Sequence, residues 1–121
     1  MYEITIEDSF DAAHRIPNYP GNCSRLHGHT YKVQVCFRVK SLDSLGMAID
    51  FRRAKQILGA ALDYMDHHYI NELPEFSDQN PTAENIARFI YDRVRTEAAS
   101  VHSVSVWETP SSCATYYRED E

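Results

Sequence analysis

Two stretches of the chain alternate so regularly that a sheet is the natural outcome, and each places histidine at the end where the two would meet. In the second stretch His27, His29, Tyr31, Val33, Val35, Phe37 and Val39 share one parity, and Lys32, Gln34 and Arg38 share the other. Strand side chains alternate faces with period two, so both imidazoles of His27-Gly28-His29 lie on the face that is apolar further on. In the first stretch, Met1 to His14, the parity Tyr2, Ile4, Ile6, Phe10, Ala12 and His14 is apolar, with Asp8 its one break. Hairpin-like pairing of the two segments therefore brings three imidazoles to one end of a sheet. Burying an imidazole is costly unless it is ligated or hydrogen-bonded. Three neutral nitrogen ligands with a fourth position open is the pattern of a catalytic zinc, whereas structural zinc is usually closed by four protein ligands. Cys23, in the loop Pro20-Gly21-Asn22-Cys23-Ser24, is either that fourth ligand or a mobile reactive group. The residues favour the open site with three histidines.

The remaining elements complete the order strand, strand, helix, helix, strand, strand. Asp50 can cap a helix whose apolar residues Phe51, Ala54, Ile57, Leu58, Ala61, Leu62 and Met65 recur at three- and four-residue steps. Asp66 to Asn80 lacks a period and reads as a loop. A second helix follows Asn80-Pro81-Thr82, with Ala83, Ile86, Ala87, Ile90 and Val94 as its buried stripe. Val101 to Glu108 and Ala114 to Arg118 make two strands around Thr109-Pro110-Ser111-Ser112, and Glu119-Asp120-Glu121 reads as a solvated tail. Only two helices are available to cover the sheet, while its other parity carries Cys36, Trp107 and Tyr117. That predicts a second surface in need of burial and two open edges in need of partners.

Three further groups carry possible chemistry. Asp66-His67-His68 follows the first helix, and a carboxylate beside a histidine can set its tautomer and raise its basicity; histidines that simply favour a helix C-terminus are an equal reading. Glu108 shares the parity of Val104 and Val106, so its carboxylate faces inward and must be paired, either by an arginine or by a ligand with a fork of N–H donors. Thr82 and Glu84 open the second helix as capping residues or as part of a pocket. Arg15, Arg25 and Lys32 lie close in sequence to the histidines and are candidates for a polyanion.

The 121 residues suffice for a single domain spanning 1–121, with 43% apolar residues to build its core. A formal net charge of −6 argues against nucleic acid or a membrane surface as partner. No run approaches the roughly 20 apolar residues of a membrane span, and the N-terminus lacks a signal-peptide pattern. Three cysteines, Cys23, Cys36 and Cys113, are an odd number without framework spacing, which points to a reducing cytoplasm. Cys36 falls on the polar face of its strand and Cys113 in the last turn; both read as structural or incidental.

In order along the chain stand Phe10-Asp11-Ala12-Ala13-His14, Cys23-Ser24-Arg25-Leu26-His27-Gly28-His29, Gly46-Met47-Ala48-Ile49-Asp50-Phe51, Leu62-Asp63-Tyr64-Met65-Asp66-His67-His68-Tyr69-Ile70-Asn71, Pro81-Thr82-Ala83-Glu84-Asn85 and Trp107-Glu108-Thr109. This combination resembles the 6-pyruvoyl-tetrahydropterin synthase superfamily, most closely its bacterial branch, the 6-carboxy-5,6,7,8-tetrahydropterin synthases of queuosine biosynthesis. The short spacing between Cys23 and His27 is similar to that branch; the animal pyruvoyl enzymes have a longer insert, and another branch replaces the cysteine with glutamate. Met65 stands where leucine is more usual, a volume-conserving change.

The resemblance implies an α+β tunnelling fold (T-fold), a four-stranded antiparallel sheet with two helices on one face in the order ββααββ. It also implies a homo-oligomer in which trimeric rings stack as a hexamer. It assigns His14, His27 and His29 to Zn(2+), Cys23 to catalysis, and Asp66 and His67 to a proton relay that a neighbouring subunit supplies. Glu108 becomes the pterin anchor, with Thr82 and Glu84 near the same pocket. The implied substrate is a pterin triphosphate, 7,8-dihydroneopterin triphosphate, cleaved without a redox cofactor to 6-carboxy-5,6,7,8-tetrahydropterin, acetaldehyde and triphosphate. A pyruvoyl-type synthase that stops before carbon–carbon cleavage is the alternative within enzymes. A zinc-stabilised module that only sequesters a pterin is the alternative outside them, and it leaves Cys23 and Asp66-His67 without a task.

Overall fold

The computed structural model describes residues 1–119, so the expected tail beyond Glu119 lies outside the described residues. Its sheet runs β1 (Tyr2–His14), β2 (His27–Val39), β3 (Val101–Thr109) and β4 (Ser112–Tyr117), with neighbours antiparallel in the order β1-β2-β3-β4. The helices α1 (Phe51–Asp63) and α2 (Ala83–Glu97) sit between the two hairpins in sequence and cover one face, α1 against β1 and α2 against β3 and β4. This is the ββααββ arrangement expected.

The covered face follows the parity of each strand. Ile6, Phe10 and Ala12 of β1, Tyr31, Val33, Val35 and Phe37 of β2, and Val101, Val104 and Val106 of β3 are buried in one core. Val101 reaches that face despite an odd step to Val104 because the β2–β3 register shifts at Cys36 and Phe37. An extra residue in one strand reverses which side the following side chains occupy. From above, Leu58, Leu62, Ile86, Ile90 and Val94 close the core. Asp50 caps α1 by accepting from the Arg52 N–H at 2.9 Å, and Thr82 caps α2 by accepting from the Asn85 N–H at 3.2 Å.

Four expectations need correcting. Phe51, placed in the buried stripe of α1, is 57% exposed, and Met65 is buried from the turn after the helix rather than from within it. Residues 66–80 are not a featureless loop. They make two single helical turns, Ile70–Glu72 and Pro74–Phe76, and insert Ile70, Leu73 and Phe76 into the core. Cys113 lies on β4, opposite Trp107, and not in the turn. Finally, the open face of the sheet is not an apolar surface awaiting cover. Glu3 pairs with Arg38, Glu7 with Lys32, Ser105 with Thr115, and Lys32 also lies 4.7 Å from the Trp107 ring centre. A solvated antiparallel face is stabilised by such cross-strand pairs.

Candidate metal centre and active site

The β1–β2 register pairs His14 with His27 and Ala12 with His29, so the three imidazoles meet on the covered face at the end of the sheet. Their ring centres are 4.6, 5.1 and 4.8 Å apart, and one nitrogen from each lies within 4.8 Å of the other two. Carbonyl oxygens decide which nitrogen two of the rings offer. His14 Nδ1 lies 2.7 Å from the Pro81 oxygen, and His27 Nδ1 lies 2.7 Å from the Arg25 oxygen. A carbonyl only accepts, so each Nδ1 carries the proton and each Nε2 keeps its lone pair. His14 Nε2 and His29 Nε2 are buried without a partner. Burial holds His14 and His29 below the usual histidine pKa, against the opposing pull of the Pro81 carbonyl on His14 and of the Glu108 carboxylate on both. Imidazoles that turn ring nitrogens toward one common point, two of them buried without a hydrogen-bond partner, are the donors a divalent transition metal requires. The residues fit zinc.

Beneath the imidazoles lies a third buried atom without a partner, the Tyr31 hydroxyl. The Tyr31 ring packs 5.4 Å from His29 and 5.7 Å from His14, and burial pushes its phenol up from the ordinary value. Sequence parity places Tyr31 on this face, yet parity alone does not show an orphan hydroxyl. Cys23 sits in the exposed turn Asn22–Ser24, which Gly21 enters at φ 98°. Its thiol is not part of the cluster of nitrogens. The Cys23 carbonyl accepts from the Ile16 N–H at 2.7 Å, and Arg15 Nε donates to the Ser24 oxygen at 3.0 Å, so the turn is tied to the end of β1.

Asp66 and His67 reach the same end from the other side. After α1 the chain turns, and His67 adopts a left-handed φ of 60°. Its N–H then donates to the Asp11 oxygen at 2.6 Å, Ala13 N–H donates to the His68 oxygen at 3.0 Å, and Tyr69 bridges to Ala13. Residues 67–69 thus cover the outer edge of β1 beside His14. Asp66 Oδ1 accepts from the Asp11 N–H at 2.9 Å, while Oδ2 lies 2.9 Å from His67 Nδ1. These contacts lower the Asp66 pKa, chiefly through the Asp11 N–H, and raise that of His67, chiefly through Asp66. His29 and His67 line one open groove of about 560 Å³ with Asp11, Gly28 and Thr30; Cys23 does not line it. His68 turns back to the Asp66 carbonyl, 2.8 Å from its Nδ1.

Glu108 is half-buried and lines a cavity of about 210 Å³ with Glu84, Ala83, Ser112, Cys113 and Ala114. Thr82 borders α2 with its hydroxyl committed to the cap. Of the basic candidates, Lys32 lies on the open face with Glu7, and Arg15 braces the Cys23 turn. Asn71 is a structural residue the sequence does not disclose. Its amide accepts from the Arg15 N–H and donates to the Arg15 carbonyl, both at 3.0 Å, although the two residues lie 56 positions apart.

Residues 3–119 match the sequence profile of 6-pyruvoyl tetrahydropterin synthase. A Haemophilus influenzae protein named 6-carboxy-5,6,7,8-tetrahydropterin synthase is 38% identical, with 96% of this chain and 99% of that protein covered. Synechocystis and Bacillus subtilis proteins of the same name are 37% and 32% identical over 97% and 95% of this chain, covering 94% and 84% of their own lengths. The structure of Caenorhabditis elegans 6-pyruvoyl tetrahydropterin synthase superposes with a TM-score of 0.86 at 27% identity, covering 98% of each chain. A Plasmodium vivax structure of that name, at 24% identity and a TM-score of 0.78, shares the fold. The chain belongs to the 6-pyruvoyl tetrahydropterin synthase family.

Proposed function

We propose that the chain is a zinc-dependent carbon–carbon lyase that converts 7,8-dihydroneopterin triphosphate to 6-carboxy-5,6,7,8-tetrahydropterin, acetaldehyde and triphosphate, in the route to queuosine and related 7-deazapurines. The observation that carries this reading is the convergence of three imidazoles, with Nδ1 of His14 and His27 held by carbonyls and Nε2 of His14 and His29 buried without a partner, in a chain 32–38% identical to proteins bearing the 6-carboxytetrahydropterin synthase name. His14, His27 and His29 would hold the metal. Zinc supplies Lewis-acid polarisation of the substrate's side-chain oxygens and stabilises charge developing there. The carboxylate of Glu108 takes the guanidine-like edge of the pterin through paired N–H donors and fixes the ring, with Thr82 and Glu84 beside it. Cys23 as thiolate, with Asp66 and His67, moves protons between the carbons and oxygens of the side chain. Oxidation of the side chain and reduction of the ring occur within one molecule, so the reaction needs no redox cofactor.

Residues 1–121 act as one domain in this reading, assembled as a hexamer of two trimers in the cytoplasm. Three free thiols support a reducing compartment, and among the described residues no helix is long and apolar enough to cross a membrane. The structural likeness to a protein named for the pyruvoyl reaction keeps that product as the second reading. Incubating the zinc-loaded protein with dihydroneopterin triphosphate and identifying products by mass separates the two. Carboxytetrahydropterin with acetaldehyde is expected. Pyruvoyltetrahydropterin would move the assignment to the second reading, and no turnover with retained pterin binding would leave a binding module.

A further inference from the structure

Asp66 and His67 both lean on Asp11. The Asp11 N–H donates to Asp66 Oδ1 at 2.9 Å, and the Asp11 carbonyl accepts from the His67 N–H at 2.6 Å. These are backbone contacts that any residue at this position offers. The Asp11 side chain adds something they do not require. One of its oxygens lies within 4.8 Å of both an Asp66 oxygen and a His67 ring nitrogen. Oδ1 accepts a hydrogen bond of 2.5 Å from Thr30 Oγ1, its directly opposite neighbour across the β1–β2 ladder.

We infer that Asp11 is a positioning residue of the relay, its carboxylate aimed by Thr30 toward the His67 ring so that Asp66 and His67 work as part of a triad. The inference rests on the reading of Asp66 and His67 as the proton relay. Asp66 fixes the tautomer through Nδ1, which directs Nε2 outward. A second anion nearby favours the imidazolium without occupying another ring nitrogen. Two neighbouring carboxylates repel, and the fold offsets this by giving each its own donors: Asp66 takes the Asp11 N–H and His67, while Asp11 takes Thr30. The Asp11 charge also favours the protonated ring. The titratable groups near that ring are Asp11 of β1, His29 of β2, and Asp66, His68 and Tyr69 of its own segment. Because the site is open to solvent, the coupling is screened and weakens with salt.

Asp11→Asn tests this, since it keeps both backbone bonds and an oxygen for Thr30 while removing the charge. Thr30→Val does the converse. In the assembled, zinc-loaded enzyme, the His67 ring resonance is assigned by its loss in His67→Gln and titrated by NMR. In both variants the ring is expected to titrate at lower pH than in wild type, and the limb of the kcat profile that follows it should move the same way. Loss of kcat should be roughly three- to tenfold, a fraction of what general acid–base catalysis provides, with KM unchanged. A structural Asp11 would instead lower Tm and leave both the titration and the limb in place, which overturns the inference. If Asp11→Asn does not fold, Thr30→Val carries the same decision. Wild-type turnover by His67→Gln would sink the relay reading and this inference with it. An inactive His67→Gln beside an unshifted ring in Asp11→Asn sinks the Asp11 assignment alone.

Discussion

A histidine whose Nδ1–H is spent on a carbonyl has one lone pair left, and the fold decides where it points. Pro81 and Arg25 make that decision for His14 and His27 through backbone atoms, so substitutions at those two positions change less than substitution of the rings. Replacing His14, His27 or His29 by alanine removes one of the three proposed ligands, and zinc measured by elemental analysis should fall from one per chain to a small fraction. Cys23→Ala should retain the metal, because the thiol stands apart from the nitrogen cluster, and lose about 10²- to 10⁴-fold in turnover, the range of a general acid–base group. Metal loss in that variant would make Cys23 a ligand. The Asp66–His67 pair sets a pH window. A raised histidine contributes below its ordinary pKa and loses the contribution as pH rises through the raised value; a depressed carboxylate contributes above its ordinary pKa and loses it as pH falls through the lowered value. The pair is therefore complete between the ordinary carboxylate and ordinary histidine values. Asp66→Asn should shift the His67 limb of kcat to lower pH with little change in Tm, since both groups are open to solvent. An unmoved limb would show that the carboxylate does not tune the ring.

At the scale of elements, α2 and the segment before it separate two kinds of residue that the sequence leaves mixed. The Thr82 hydroxyl is committed to the Asn85 N–H, so Thr82→Ala should cost about 1 kcal/mol in unfolding free energy and Thr82→Ser almost none. Glu84, which shares the Glu108 cavity, should instead weaken substrate binding as Glu84→Gln without moving stability. Ile70 is fully buried, and Ile70→Ala should cost about 2–5 kcal/mol by leaving a cavity. Denaturant titration at fixed protein concentration measures the four stabilities, and KM for the pterin triphosphate measures the effect of Glu84→Gln on binding. The contrast between these segments explains what was legible beforehand. Strand parity and helical spacing are local, so the histidine positions, the covered face and the stripe of α2 follow from neighbours in the chain. The 66–80 segment carries no period because its backbone is held by distant groups, Asn71 on Arg15 and His67 on Asp11. The bulge that returns Val101 to the core depends on a register set between strands, and the Tyr31 hydroxyl is orphaned only by what surrounds it. The ion pairs across the open face likewise join residues more than twenty positions apart, Glu3 with Arg38 and Glu7 with Lys32, which is why Cys36, Trp107 and Tyr117 alone suggested an apolar surface.

For the whole molecule, the edges rather than the open face make the case for assembly. The outer edge of β4 has no strand partner among the described residues, and the outer edge of β1 is covered only beside His14 by residues 67–69. Unpaired edges would be satisfied if one subunit's β4 lay along the next subunit's β1, and repetition of that contact would close the proposed ring. The polar pairs of the open face would then line the ring's interior. Such closure bears directly on the chemistry, because His67 shares its groove with His29 while Cys23 of the same chain does not line it. The thiol that works with His67 is therefore proposed to come from another subunit. Mixing Cys23→Ala and His67→Ala chains in equal amounts tests this. If each site combines Cys23 of one subunit with His67 of another, random reassembly leaves about a quarter of sites with both groups, so activity should recover to about a quarter of wild type. If each site lies within one chain, no chain in the mixture holds both groups and nothing is recovered. Recovery near a quarter in oligomers verified as mixed by mass, against near-zero activity of each variant alone, establishes the shared site; verified mixed oligomers without recovery, or a monomer by sedimentation, refute it.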